Sequence, residues 1–439
     1  MPVLLDRAAL LAVLLTPLML LHAHSVADGL IAVADVCFLL RSALLADWTW
    51  LRPLWMRLSL LWWGWLIICS MPLPALGLGE SGWGGFAQAA AVLRFVVLLA
   101  VMRHVLRTHA ARRWFGAIIA AAAAWIAAQS LLQYATGRNL WGDPWGGDGE
   151  LTGPFRKPRA GPPLARILFP ALVPPAAALL ARPGLAPKAG AYGLLLGGIV
   201  VMVLIGQRMP LMLAGLGMVV CGLLLRQLRP AVLAAGVVGL ALVAGSVAFS
   251  PPTYHRLVVK FTVQMDQFAS SHYGELYTRA WEIGRQHPLT GRGVNGFRTG
   301  CPMPRYFVPT LDGRVPDGGG TAICASHPHN FYMEALDQGG FPGLVLFALA
   351  ALGWLAATGR GLIRHPDPLR VGLFASVFVQ LWPLASTSGF ISMPMGGWLF
   401  VMLGWGLAEA RWRQPAALPR PARSRHEPAP ALEAAAEPG

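Results

Sequence analysis

The stretch Ser326–Gly343, SHPHNFYMEALDQGGFPG, sets His327, His329 and Asn330 where a long polar segment meets the start of an apolar helix. A neutral imidazole titrates near working pH and can take a proton from a hydroxyl group. Either histidine, held at a membrane–water boundary, is therefore a candidate general base. The plainer role for the same residues is a capped, solvent-facing helix start.

Composition explains why a boundary is expected there. Of 439 residues 55% are hydrophobic and only 13% charged, and the mean hydropathy of +0.54 is too high for a soluble globule of this size. Runs such as Trp114–Tyr134 are apolar on all sides, without the alternation of barrel strands. The reading is an all-α polytopic membrane protein. About twelve spans are expected, at 8–21, 28–46, 55–77, 86–106, 114–134, 162–181, 190–206, 209–225, 231–249, 330–358, 369–385 and 393–410. The stretch 8–21 resembles a signal peptide, but no small-x-small cleavage site follows it, so it is read as the first span.

Arg7, Arg52, Arg57, Arg103, Arg107, Arg112, Arg113, Arg182, Lys188, Arg226, Arg229, Arg360, Arg364, Arg370, Arg411 and Arg413 then fall on one side, which the positive-inside rule makes cytoplasmic together with both termini. The net charge of +15 is thus topological, and nucleic acid is not an expected partner. Membrane lipids are. The chain divides into spans one to nine within 1–249, a large far-side loop at 250–329, the last three spans within 330–412, and a Pro- and Ala-rich tail at 413–439 expected to be disordered.

Two far-side segments break the charge pattern. The first, 135–161, carries Arg138, Arg156, Lys157 and Arg159; the second, 250–329, carries Arg256, Lys260, Arg279, Arg285, Arg292, Arg298, Arg305 and Arg314. Long loops escape the charge rule, so such residues can simply be solvated. Clustered cations on the otherwise uncharged side also suit an anionic ligand, and guanidinium forks match diphosphate oxygens. Within the large loop, 273–287 has helical spacing and reads as an amphipathic surface helix ending before Pro288. Gly291-Arg-Gly293 follows no strand and is rejected as a nucleotide site.

Cys37, Cys69 and Cys221 fall in spans as small packing residues, whereas Cys301 and Cys324 share the far-side loop. A disulfide between those two is expected, closing about two dozen residues for roughly 3 kcal/mol. Asp35, Arg41, Arg94 and Asp337 lie within spans, where each charge costs about 2.5 to 3.5 kcal/mol and needs a reason. Arg94 is expected to pair with Asp35 or to face a polar cavity and touch substrate. Asp337, two turns beyond His329, is expected to share its helix face. Arg208 sits at a tight far-side hairpin, where it either snorkels or reaches the same aqueous face as His329.

Taken together, the Arg208 hairpin, Arg279 in Thr278-Arg-Ala-Trp-Glu-Ile283 before Pro288-Leu-Thr-Gly-Arg-Gly293, and His327-Pro-His-Asn330 before Gly339-Gly-Phe-Pro-Gly343 resemble the O-antigen ligase and polymerase superfamily. Gly153-Pro-Phe-Arg-Lys-Pro158 looks like that family's G-x-F loop, so the resemblance covers about residues 150 to 345. It implies a GT-C-like helical glycosyltransferase of the bacterial inner membrane, with its site on the periplasmic face. The implied donor is a glycan on undecaprenyl diphosphate, and a ligase's acceptor is lipid A–core oligosaccharide. The family's essential arginines map onto Arg208 and Arg279 and its histidine onto His329. Arg156, Arg292, His327, Asn330 and Arg94 are the accompanying substrate-binding candidates.

The chemistry fits those residue types. His329 would deprotonate an acceptor hydroxyl during attack on the anomeric carbon, for about 10² to 10⁴ in rate. The arginines would stabilise the departing lipid diphosphate. The sequence offers no DxD-like or His/carboxylate cluster, so neither a metal nor another cofactor is expected. Ligation, polymerisation of O-antigen repeats and transfer to a protein acceptor remain open within the superfamily, with the modest far-side loops favouring ligation. Outside it, an anion or solute transporter could use Arg94 and Asp35, but the halves show no repeat.

Overall fold

The computed structural model describes residues 1–146, 149–309, 313, 322–385 and 389–412. The tail at 413–439 and Arg314, both discussed above, lie outside the described residues. Apolar runs with no strand alternation fold as helices: α1 Pro2–His22, α2 His24–Leu44, α3 Leu54–Ser70, α4 Gly82–Ala91, α5 Leu93–Val105, α6 His109–Thr136, α7 Gly161–Leu180, α8 Leu185–Ile205, α9 Arg208–Leu224 and α10 Arg229–Phe249. The large loop holds α11 Pro251–Tyr254, α12 Lys260–Asp266, α13 His272–Gln286 and α14 Gly296–Gly300; α15 Phe331–Gly359, α16 Pro368–Gln380 and α17 Met393–Trp412 complete the bundle. Among the described residues there is no strand, only an isolated bridge between Arg138 and Pro144.

A helix lies at each of the twelve expected positions. Seven stretches among the described residues are long and apolar enough to cross a membrane: α1, the α4–α5 pair, α6, α7, α8, α10 with the turn before it, and α15. Helices α3, α9 and α16 are apolar but shorter. The chain is thus an all-helical, multi-pass membrane protein. Helix α3 stops at Ser70 rather than near 77, because Pro72 and Pro74 cannot continue it.

The core is made where α7 packs on α16 and α8, α3 on α15, and α5 on α17. Pro170 inside α7 has no N–H to offer the Arg166 carbonyl one turn back. The Ser376 hydroxyl of α16 donates to that carbonyl instead. Close approach there needs Gly372, whose added Cβ would lie 2.8 Å from the Phe169 carbonyl oxygen. Arg166 is buried in the same seam and donates from Nε to Gln380 at 3.0 Å.

Charges in the bundle find partners by depth. Arg41 pairs with Asp6 of α1 at 3.0 Å, and His104 meets the same carboxylate at 3.0 Å. Arg94 pairs with Asp28 at 2.6 Å. That corrects the expected Arg94–Asp35 bond: Asp28 and Asp35 are two helical turns apart on α2, about 10 Å along its axis, and the guanidinium sits at the level of Asp28. The helix breaks at Val92 between α4 and α5, so Arg94 also has an open carbonyl at Ala91 to bond, 2.5 Å away. A buried Arg112–Glu409 pair, 3.3 Å, ties α6 to α17.

Candidate functional site

Two buried amides shape the first far-side loop. Gln133 donates to Thr152 at 2.8 Å and to the Pro144 carbonyl at 3.0 Å, while its oxygen accepts from the Thr152 and Gly153 amides. Asn139 donates to the Gly153 carbonyl at 2.8 Å and accepts from the Asp143 amide at 2.8 Å. A third amide, Gln207, joins this loop to the α8–α9 hairpin, donating to the Pro158 carbonyl at 2.7 Å and accepting from the Gly161 amide at 3.0 Å. The hairpin turn itself needs Gly206, at φ 75°. Arg208 follows directly. Its position is therefore fixed by loop 135–161, although nothing adjacent in sequence says so.

Arg208 donates from Nη1 to Gln264 of α12 at 2.6 Å and interacts electrostatically with Arg256, Tyr273 and Glu150. Arg256 is ion-paired to Glu150, which joins the two far-side segments. Among the described residues Arg208 lies within ion-pair distance of no carboxylate, so its positive charge remains available to an anion.

Helix α13 begins with a Ser271 cap, whose hydroxyl accepts from the Gly274 amide at 3.2 Å. The expected amphipathic helix packs one face, with Leu276, Ala280 and Ile283 against Phe297, Cys301 and Tyr306, and leaves its outer face open, with Trp281 47% exposed. Its first turn presents Tyr273 to His329, ring centroids 5.9 Å apart, with His272 at 6.5 Å. Tyr273 thus interacts electrostatically with Arg208 and packs against His329, which are far apart in the chain.

His329 has φ 56°, left-handed backbone for a non-glycine residue, a conformation that clusters at functional sites. It lies outside α15, so the expectation that it shares a helix face with Asp337 is corrected. Asn330 is the cap of α15: its oxygen accepts from the Tyr332 and Met333 amides at 2.9 and 3.2 Å, and its nitrogen donates to the Pro383 carbonyl at 2.7 Å. Those bonds give Asn330 a positioning task, fixing the residue that follows His329.

His327 meets His329 in a tilted ring contact, 4.3 Å between centroids, and lines a cavity of about 170 Å³ with Glu334, Gln338 and Gln88. Its Nδ1 is buried without a hydrogen-bond partner among the described residues. Burial, and secondarily the neighbouring His329, push the His327 imidazole down to about 4. It is neutral at pH 7. Glu334 beneath it accepts from the Phe390 amide at 2.7 Å and from Gln338 at 3.1 Å.

The remaining expected residues divide. Arg279 is buried, donates from Nη1 to the Cys301 carbonyl and lies over the Phe307 ring at 4.0 Å. Burial lowers its pKa and Glu275 one turn earlier opposes the shift, leaving an arginine that stays charged. Cys301 and Cys324 are joined in a disulfide, Cα atoms 5.7 Å apart. Arg292, expected among the substrate-binding cations, is 1% exposed and bound to Glu80, the Tyr306 hydroxyl at 2.8 Å and the Gly296 carbonyl at 3.2 Å. Its donors are used inside the protein. Glu80 also draws in Arg305 at 3.3 Å and His287 at 3.7 Å; as an acid in a short loop with no lysine or arginine, it was the available sequence signal for this anchor. Arg94 is held by Asp28 as described, and Arg156 lines a different cavity.

Fold and site define a multi-pass membrane protein whose large loop joins a cation, a tyrosine and a histidine pair at the helix ends. Residues 193–348 match the family model described as O-antigen ligase. The match runs from α8 to the middle of α15 and contains Arg208, Arg279 and His329, so this stretch is similar to the O-antigen ligase family. No curated protein matches the chain.

Proposed function

We propose that the protein is an O-antigen ligase of the bacterial inner membrane, with cytoplasmic termini and a periplasmic GT-C-like site. It would transfer a glycan from undecaprenyl diphosphate to lipid A–core oligosaccharide. The observation that carries this reading is that Tyr273 interacts electrostatically with Arg208 and packs against His329, within a stretch that matches the ligase family.

In the proposed reaction the acceptor hydroxyl oxygen bonds to the anomeric carbon as the bond from that carbon to the diphosphate oxygen breaks. The hydroxyl proton passes to His329, worth about 10² to 10⁴ in rate. Negative charge gathers on the leaving diphosphate, where Arg208 stabilises it; one such donor contributes about 10² to 10³. Arg279 is the second arginine that the family resemblance names. Attack from the face opposite the leaving group inverts the anomeric centre. Arginines take the charge-neutralising task that a divalent ion performs elsewhere, making the reaction metal-independent.

The same geometry serves a polymerase or a protein oligosaccharyltransferase, since acceptor identity lies outside the Arg208–His329 group. An acceptor assay with purified protein separates the ligase from the polymerase. Undecaprenyl-diphosphate glycan is offered with lipid A–core and, separately, alone. Glycan appearing on lipid A–core supports the ligase; lengthened donor glycan in both mixtures replaces it with a polymerase.

A further inference from the structure

The second cavity is larger and of different character. It has a volume of about 920 Å³ and lies between the α1–α2 corner, the start of α17 and loop 154–159. This is within the range of pockets that enclose whole ligands. One wall is apolar, formed by Leu20, Leu21, Met395 and Trp398; the other carries Arg156, Lys157 and Arg159, with His22 and His24 beside them. No acidic residue lines it among the described residues. The three cations are exposed, and none forms an ion pair with a described carboxylate. Three like charges within four residues repel one another, and an anion between them removes that cost.

The loop that lines this cavity is also bonded at Pro158 and Gly161 by Gln207, the residue before Arg208, which does not line the cavity. Two cationic places thus share one loop. A transfer between two membrane-anchored substrates requires both lipids to be held at once, and Arg208 occupies the side assigned to the donor diphosphate.

We infer that the cavity bounded by Arg156, Lys157, Arg159, Leu20 and Trp398 binds the acceptor as a phosphorylated glycolipid. Its headgroup phosphate bonds the cations and its acyl chains lie along Leu20, Leu21, Met395 and Trp398. Charge-assisted bonds from arginine and lysine to phosphate are the strong class of hydrogen bond, and the adjoining apolar wall distinguishes a lipid phosphate from a free one. The acceptor role rests on the ligase reading; the phosphate-lipid site does not.

The test is binding to the full chain in detergent, using bis-phosphorylated lipid A, the same lipid after phosphatase treatment, phosphatidylglycerol and inorganic pyrophosphate. The wild type should bind the phosphorylated lipid A, and Lys157→Gln/Arg159→Gln should weaken it about tenfold or more, equivalent to about 1.4 kcal/mol. Dephosphorylated lipid A should lose a similar factor. In turnover, the variant should raise KM for acceptor and leave KM for donor unchanged. Unchanged binding in a variant with wild-type melting would overturn the inference. So would equal competition by phosphatidylglycerol, which would make this a bulk-lipid site, or variant-sensitive binding of pyrophosphate alone, which would assign the cations to the donor. If the binding differences appear but wild type transfers no glycan, the site stands and the ligase reading fails.

Discussion

His329 meets the Tyr273 ring edge to face, with centroids 5.9 Å apart and planes at 84°. The contact holds an imidazole at the mouth of α15 against the first turn of α13, so the histidine's orientation depends on a helix nearly sixty positions earlier. It also sets the first prediction. Because His329 has φ 56°, His329→Asn tolerates the left-handed backbone while removing the base. Transfer should fall by about 10² to 10⁴ with no loss of thermal stability in detergent. His329→Val should lose activity and melt earlier as well.

Acidification should destabilise the protein through His327. Its pKa in the folded chain is about 4 against 6.5 as a free group, so between those values the unfolded chain binds a proton that the folded one refuses. Stability is complete above about pH 6.5 and declines as pH falls towards 4, by at most about 3 to 4 kcal/mol. Melting curves across that window should flatten in His327→Gln. A pH dependence unchanged by the substitution would contradict the assignment.

Reduction should loosen the large loop at Arg279. The disulfide closes a sequence separation of 23 residues, for which chain entropy gives roughly 3 kcal/mol. Cys301 also supplies the carbonyl that Arg279 bonds. The Cys301→Ser/Cys324→Ser variant should therefore lower the melting temperature and reduce kcat. Loss of stability with unchanged kcat would separate the bridge from Arg279.

The helices were legible because twenty apolar residues have few other solutions in a membrane. Their ends were less so: Pro72 and Pro74 stop α3 early, yet the surrounding residues keep an apolar composition. Local motifs around His329 and Arg208 could be read directly. Their shared neighbour Tyr273 could not, since nothing in a sequence reports that positions 208, 273 and 329 interact. The Arg94 partner failed for a related reason, as Asp28 and Asp35 share a helix face and only depth chooses between them. Gln133, Asn139, Gln207 and Glu80 were missed as organisers because each acts on a distant backbone or side chain. Arg292 matched the pattern of a ligand-binding cation but is satisfied by Glu80.

The seam between the large loop and α15 depends on glycine. Gly340 has φ 65°, and an added Cβ would lie 2.5 Å from the Pro288 carbonyl oxygen. Backbone atoms of Leu289 lie equally close, and Gly340 breaks α15 with non-helical φ and ψ, so relief requires moving the chain. Gly340→Ala should destabilise by about 3 kcal/mol or more, measured by thermal melting, and should misplace the helix start that carries Asn330. Wild-type melting would show that the break in α15 is not needed.

In the proposed reaction Arg208 and His329 act together on a lipid-diphosphate donor without a metal. The most direct measurement is glycan transfer to lipid A–core by purified protein in excess chelator, comparing wild type with Arg208→Gln and His329→Asn. Wild type should form product, and each variant should lose at least about a hundredfold with melting unchanged. Full activity in either variant, or loss of wild-type activity in chelator that returns on adding a divalent ion, would contradict it.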